Sequence, residues 1–432
     1  MNTSVGNGAA TTSGSGVNGR VAIVDGCRTP FQKIGTQFAG LTHLELAEQA
    51  VRGVVERNEL AAGEATSVVL GSVYVPLAVP YLGRQTAMAL GWDGVDGHSA
   101  ECACATGART TVDAAYQLLT GEHQVAITGG AESLSQRPLE LGDSAREALV
   151  GARGDVGALL DVTLRDLLPA PPSVTEPYSG RTLLDHAEEM MVEWGVSRQD
   201  ADAFATRSHK RAAAAWADGR IEQEIVPVTL ADGEVVREDN LVRPDSSPEL
   251  LARLRAVRPD GLLTAGSASP LTDGASAVLL MSERALERSG RTPLAFLRAW
   301  SFTGQDPALG ALIGPVFALN EALGRAGLTV AQLDLLDLHE AFSGQVLSNL
   351  RAMASEEFAQ RHLPGERRLG EVPDAILNVN GGSVALGHPF GATGGRLITQ
   401  SANELRRRGG RYAAIGICAG GSRGAALVLE AA

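Results

Sequence analysis

At 432 residues the chain is too long for one ordinary core and calls for two or three domain-sized units. Apolar residues make up 44% of it, so most of it should fold, while a net charge of −13 excludes nucleic acid or an anionic membrane as the general partner. Four cysteines without a signal-peptide pattern fit a reducing cytoplasm, and no apolar run approaches the roughly 20 residues that span a bilayer.

Residues 1–18 are almost all Gly, Ser, Thr, Asn and Ala, and a stretch that buries so little apolar surface is expected to be a disordered tail. Arg20 to Asp25, RVAIVD, reads as the first strand, Leu44 to Arg57 as a helix and Ser67 to Val75, SVVLGSVYV, as a second buried strand. This alternation predicts a layered α/β architecture with a mostly parallel sheet. Next comes Ser99 to Thr111, SAECACATGARTT, which sets Cys102 and Cys104 before a helix running from about Thr110 to Thr120. A thiol at a strand-to-helix junction meets the unpaired N–H groups and positive end of the helix, which lowers its pKa and exposes the sulfur. A strand, Gln124 to Thr128, then ends in Gly129-Gly130-Ala131-Glu132.

From about Pro138 to Asp260 the chain turns charged and helix-rich, with a proline-rich turn at Leu168 to Pro172, and reads as an insertion. Ser208-His209-Lys210-Arg211 and Arg220 concentrate positive charge there, which taken alone describes a solvated helix face. Strand signals return at Leu262 to Met281. Thr272 to Glu283, TDGASAVLLMSE, and Ser422 to Ala431, SRGAALVLEA, each end an apolar hairpin. That repeat predicts two copies of one α/β unit, with the insertion inside the first.

Three clusters in the second half bear chemistry. Asn378 to Gly395, NVNGGSVALGHPFGATGG, holds His388 on a constrained glycine-rich turn, as a general base requires. Ile415 to Gly424 delivers Cys418 into a glycine loop, and Leu335 to Phe342, LLDLHEAF, ends a strand with His339 and Glu340. Zinc fits poorly: Cys-x-Cys occurs once, there is no Cys-x-x-Cys, and neither His339 nor His388 has a second ligand at helical spacing. No G-x-G-x-x-G follows the first strand, which argues against a dinucleotide.

Cys104 in CACATG, His339 in HEAF, His388 in GGSVALGHPFGATG and Cys418 in CAGGSRG, in that order, resemble the thiolase family across the whole folded chain. HEAF, with LRDLLPAPPSVTE at Leu164 to Glu176, is similar to the fatty-acid β-oxidation branch, typified by the β-subunits of trifunctional complexes. The resemblance implies two repeated βαβαβαββ halves in a five-layer αβαβα core with an inserted loop domain. On this chain the N-terminal half would span 19–137 and 262–285, the coenzyme A-binding loop domain 138–261, and the C-terminal half 286–432.

It further implies an acyltransferase that cleaves 3-ketoacyl-CoA to acetyl-CoA and a shortened acyl-CoA, with coenzyme A as substrate and no cofactor or metal. Cys104 would be the nucleophile, His388 its base and Cys418 the second acid/base. One oxyanion site would be His388 with a water held by His339, the other the N–H groups of Cys104 and Gly420. Arg243, in NLVRPD, and Ser269, in GSASPLTDG, match positions near the nucleotide and pantetheine ends of coenzyme A. A cytoplasmic homodimer or dimer of dimers is implied, and a hydratase/dehydrogenase α-subunit is the partner to test. Alternatives are a biosynthetic thiolase forming acetoacetyl-CoA and a non-catalytic acyl-CoA-binding subunit. The chain departs from the family in Ser422 and Arg423, which follow Gly420-Gly421, and in Arg109, which either depresses the Cys104 pKa or faces solvent.

Overall fold

The computed structural model describes residues 19–138, 142–152, 157, 175–176, 178–365 and 368–432. The N-terminal tail, and Leu164 to Glu176 apart from its last two residues, lie outside them.

The main strands are β1 (Val21–Arg28), β2 (Ser67–Gly71), β3 (Asp96–Ser99), β4 (Val125–Glu132), β5 (Thr272–Ser282), β6 (Ala295–Gly304), β7 (Leu335–Leu338), β8 (Tyr412–Ala419) and β9 (Arg423–Ala431). They are ordered β7-β8-β9-β6-β1-β5-β4-β2-β3, and a short strand, Gln32–Lys33, adds onto β5. Only Val21 to Ile23 joins β1 to β6, so the sheet is two half-sheets meeting at a narrow seam. Each half repeats one pattern: β2 and β7 run parallel to β4 and β8, which pair antiparallel with β5 and β9, so the sheet is mostly antiparallel and not mostly parallel as the alternation predicts.

Strand alternation sends side chains to opposite faces and so separates three cores. The helices that fill them are α1 (His43–Arg57), α2 (Thr106–Thr120), α3 (Leu183–Glu193), α4 (Arg198–Ala217), α5 (Gly314–Ala326), α6 (Ser343–Ala354) and α7 (Phe390–Arg408). Ala22 and Val24 pack outward with Leu46, Val51 and Val54 of α1. Val21 and Ile23 face inward to Val112, Leu118, Leu397 and Ile398 of α2 and α7, which also meet Ile415 and Leu427 of the other half-sheet. Ala426 and Val428 face the opposite way, to Val316, Leu319 and Val346 of α5 and α6. The result is an αβαβα stack. Its middle layer, α2 and α7, is enclosed by protein on both faces.

Local chemistry moves several boundaries. Helix α2 starts at Thr106, whose hydroxyl accepts the Cys102 N–H at 2.8 Å. Strand β2 ends at Gly71 and not at Val75, because the N–H groups of Val73 and Tyr74 turn to the buried Glu132 carboxylate. The first hairpin is assembled differently from the expectation. Residues 262–271 form no strand: the N–H groups of Leu262 and Leu263 are both held at 2.9 Å by Glu188, and Leu263 packs into the outer core of the second half. Strand β5 pairs instead with β4, in register from Gly274↔Glu132 to Met281↔Val125. The equivalent β8–β9 hairpin closes through three residues, Gly420 to Ser422.

The basic stretch of α4 is not a solvated face. Ser208 donates to Glu340 at 2.7 Å, Arg211 donates to the Leu377 carbonyl at 2.6 Å and pairs with Asp374, and Arg220 is held by Asn380 and Asp218. Of that stretch only Lys210 is exposed; the other charges tie the insertion to loops of the second half.

Candidate active site

Each candidate residue sits at the end of a framework element. After β3 the chain tightens through Ala103, whose φ of 45° is left-handed, and Glu101 accepts the Ala103 N–H. A non-glycine residue there costs on the order of 1–3 kcal/mol. The turn sets Cys104 directly before α2. His339 follows β7 and donates its N–H to the Gly416 carbonyl at 2.8 Å. His388 precedes α7, with its N–H on Thr272 Oγ1 at 3.0 Å. Cys418 lies near the end of β8.

These loops converge. One ligand atom from each of Cys104, His339 and His388 lies within 4.8 Å of the others, and the two imidazole centroids are 4.2 Å apart. The N–H groups of Cys104 itself and of Gly420 face the Cys104 sulfur. The Cys418 thiol adjoins Cys104, with the Ala341 N–H on its own sulfur. Cys102 is buried beside them.

The two rings are held in different ways. The Thr393 hydroxyl donates to the Pro389 carbonyl at 3.2 Å, so it accepts from His388 Nδ1–H at 2.6 Å, which leaves the Nε2 lone pair of His388 free. Ser383 Oγ accepts from Arg396 at 2.7 Å and lies 3.0 Å from His339 Nδ1; when its own proton goes to that nitrogen, His339 carries a proton on Nε2. Both Nε2 atoms are buried without a hydrogen-bond partner. The site thus pairs an acceptor imidazole with a donor imidazole.

Electrostatics reverse the expectation for the thiol. Burial pushes Cys104 up to about 12, and the two N–H groups at its sulfur offset this only in part. Burial likewise takes Cys418 well above the ordinary thiol range. It brings His388 down to about 3, with help from the Arg396 guanidinium, and His339 well below the ordinary imidazole range, with help from His388. The resting site is therefore a neutral thiol facing neutral imidazoles. Arg109 does not ionise Cys104: it pairs with Asp113 at 2.7 Å and lies over Phe302.

A base whose pKa is depressed to about 3 stays unprotonated through the neutral range, and a thiol at about 12 stays protonated. kcat/KM reports the free enzyme, so it should be flat between about pH 5.5 and 8.5. An acid limb at the ordinary imidazole value, about 6.5, would contradict the buried-neutral site.

Beside the two histidine loops lies a cleft of about 640 Å³ lined by Lys33, His209, Arg243, Ser269 and Leu271 among others. Ser269 donates its N–H to the Ala341 carbonyl at 2.9 Å, and Leu271 bridges His388, so the cleft wall is bonded to both histidine loops. Arg243 lies exposed in that lining, its backbone N–H on His209 Nδ1 at 3.2 Å. Burial and the Arg243 charge bring His209 down to about 4, so it adds no positive charge at neutral pH. Lys33, which the motifs do not reveal, is a further basic residue of the lining.

Two family models match nearly the whole folded chain: the thiolase N-terminal domain over residues 21–284 and the thiolase C-terminal domain over residues 291–431. The chain belongs to the thiolase family. It is 41% identical to a 3-ketoacyl-CoA thiolase of Cronobacter sakazakii and 39% identical to one of Escherichia coli, in each case over 95% of this chain and 97% of the relative. Among solved structures, human mitochondrial 3-ketoacyl-CoA thiolase in complex with CoA superimposes with a TM-score of 0.83 at 28% identity, covering 96% of this chain and 99% of that one. An acetyl-CoA acetyltransferase of Bacillus anthracis also gives 0.83, at 29% identity and covering 97% and 100%.

Within that family framework the two departures after Gly420 form a brace. Ser422 takes a left-handed φ of 51°, and its hydroxyl meets Tyr178 of the insertion at 2.9 Å. Arg423 Nε donates to the Gly420 carbonyl at 2.8 Å, while Glu176 accepts the Gly421 N–H at 2.6 Å. The peptide after Gly420 is thus fixed at both ends. Arg423 also lies 3.8 Å from Glu101, which holds the Cys104 turn. Arg423→Gln should lower kcat about tenfold with KM little changed, a part of the roughly 10²–10³-fold lost when an oxyanion donor is removed. Unchanged kcat in steady-state kinetics would remove Arg423 from this role.

Other supporting residues lie inside or next to the motifs without being evident there. Thr393 and Ser383 set the two rings, and Arg396 sits buried behind them. Glu340 braces the loops, accepting from Ser208, Asn378 and Val384. A charged residue at the end of a wholly buried strand, as at Glu132, was the one available sequence signal of this kind.

Proposed function

We propose that this protein catalyses CoA-dependent cleavage of 3-ketoacyl-CoA to acetyl-CoA and a shortened acyl-CoA through an acyl-cysteine intermediate. The observation that carries the reading is a buried neutral thiol set against one acceptor imidazole and one donor imidazole, with a second thiol alongside.

As the Cys104 sulfur attacks the keto carbon, His388 Nε2 takes its proton. The bond between the α and β carbons then breaks, and its electron pair stays with the acetyl-CoA fragment as an enolate. Cys418 protonates that carbon, leaving acyl-Cys104 and a Cys418 thiolate. The thiolate takes the proton of the incoming CoA thiol, which attacks the acyl carbon, and Cys104 leaves with the proton from His388. The N–H groups of Cys104 and Gly420 suit the oxyanion on the carbon bonded to Cys104; His388 and a water on His339 Nε2–H suit the enolate oxygen. Two moderate barriers replace one high one.

CoA is assigned to the cleft, with Arg243 and Lys33 toward its phosphates and Ser269 along the pantetheine arm. The chemistry needs no cofactor. We further assign the protein to the cytoplasm as a homodimer, with a hydratase/dehydrogenase α-subunit as the partner to test. Among the described residues no helix is long and apolar enough to cross a membrane. The same groups run the synthetic direction, and the likeness to an acetyl-CoA acetyltransferase favours that as the second reading.

The test is to mix the protein with a 3-ketoacyl-CoA and find the acyl group on Cys104 by peptide mass spectrometry. No adduct, with no acetyl-CoA released, would leave only an acyl-CoA-binding role. Faster turnover of acetoacetyl-CoA than of long-chain 3-ketoacyl-CoA would favour the second reading.

A further inference from the structure

The donor set that suits acyl transfer also suits a metal ion. Thiolate sulfur and imidazole nitrogen are the ligands that Zn²⁺ and Co²⁺ prefer, and three of them leave a fourth position open. Cys104, His339 and His388 each bring one such atom within 4.8 Å of the other two, and all three residues are buried. The Nδ1 atoms are already bonded to Ser383 and Thr393, so the Nε2 atoms, which have no partner, are the ones presented. The Thr393 hydroxyl, which accepts His388 Nδ1–H, is the kind of outer hydrogen bond that orients a metal-binding histidine. Zn–N bonds of about 2.0–2.1 Å and Zn–S of about 2.3 Å in a tetrahedron place the donors about 3.4–3.6 Å apart, so side-chain rotations of roughly 1 Å complete the cage.

Charge is compatible with a cation. The Arg396 guanidinium lies near both rings, but Asp337, Glu340 and Glu224 surround it with negative charge. Binding converts the Cys104 thiol to a metal-bound thiolate and releases its proton to water, while the His339 proton moves from Nε2 to Nδ1 and Ser383 Oγ turns from donor to acceptor there.

We propose that the resting protein binds one Zn²⁺-class cation through Cys104 Sγ and the Nε2 atoms of His339 and His388, and that this binding and acylation of Cys104 exclude each other. A thioester sulfur is a poor ligand, so an acylated cysteine cannot hold the metal, and a thiolate whose electron pair is shared with the metal is a weaker nucleophile than a free one. The cation is a reversible brake that acyl-CoA substrate removes.

Co²⁺ is the probe, because its thiolate complex absorbs in the near ultraviolet. Titrating the full-length protein without reductant or chelator should produce that band at one equivalent per chain, and EDTA should erase it. Cys104→Ser and His388→Ala should each weaken Co²⁺ binding at least about 100-fold. Cys102→Ser, whose thiol lies outside the donor set, should keep the band and controls for folding. Prior incubation with acetyl-CoA should suppress it. No band with the native protein, or a band that persists in Cys104→Ser, overturns the proposal. These readouts do not involve turnover, so a missing band alongside normal acyl-Cys104 formation would sink the metal site alone.

Discussion

Cys104→Ala is expected to lower 3-ketoacyl-CoA cleavage by about 10⁴-fold or more, as when the nucleophile of a concerted triad is deleted. The loss should fall on kcat, because the cleft assigned to CoA is lined by other residues, Arg243, Ser269 and Leu271 among them. Cys418→Ser separates the two halves of the reaction. Transfer of an acyl group from a simple acyl-CoA to Cys104 creates no carbanion, so acyl-Cys104 should still form, while carbon–carbon cleavage should fall by orders of magnitude. Stopped-flow measurement of CoA release, with mass spectrometry of the Cys104 peptide, reads both steps. Substantial cleavage by Cys104→Ala would remove the acyl-cysteine pathway, and loss of acylation in Cys418→Ser would move Cys418 out of the second step.

Gly394→Ala should destabilise the fold by about 3 kcal/mol, at the upper end for overpacking a close-packed interior. A Cβ on Gly394 would lie 2.2 Å from the Ala108 nitrogen and 2.6 Å from the Gly107 carbonyl carbon. Both are backbone atoms of α2, so no rotamer relieves the clash and the two central helices must separate. That separation would pull apart the helices that follow Cys104 and His388, so activity should fall with stability. Gly324→Ala is the contrast. Gly324 lies on an open face of α5 with nothing within 4 Å of its Cβ position, and alanine there should stabilise by about 0.5–1 kcal/mol through helix propensity. Urea denaturation of both variants checks the pair; equal effects would mean that the helix contact is not tight.

What could be read in advance depended on how local each cause is. β1, α1 and β4 were legible to within a few residues, because apolar periodicity and capping act over short stretches. The partner of β5 was not, since the chain leaves β4 for the insertion before returning to it. The four catalytic candidates were legible through motifs, yet the direction of their pKa shifts was not. The dipole at the start of α2 is visible in the order of residues, whereas the burial that outweighs it at Cys104 comes from distant parts of the fold packed around it. Arg211 and Arg220 looked solvated for the same reason, as Asp374 and Asn380 lie more than 150 residues away. The Cys104, His339 and His388 donor set was invisible to ligand-spacing rules, which look for metal ligands on one segment.

The split first hairpin makes the two structurally equivalent halves unequal in assembly. Strands β8 and β9 are joined by a turn that closes almost without cost, whereas β4 and β5 must meet across roughly 140 residues, and the extra chain entropy lost is about 3 kcal/mol. Contacts of such long sequence separation form late. The later-synthesised half therefore holds the faster-forming sheet nucleus, and the N-terminal half-sheet, which leads into the nucleophile, closes only after the insertion has been made and folded back.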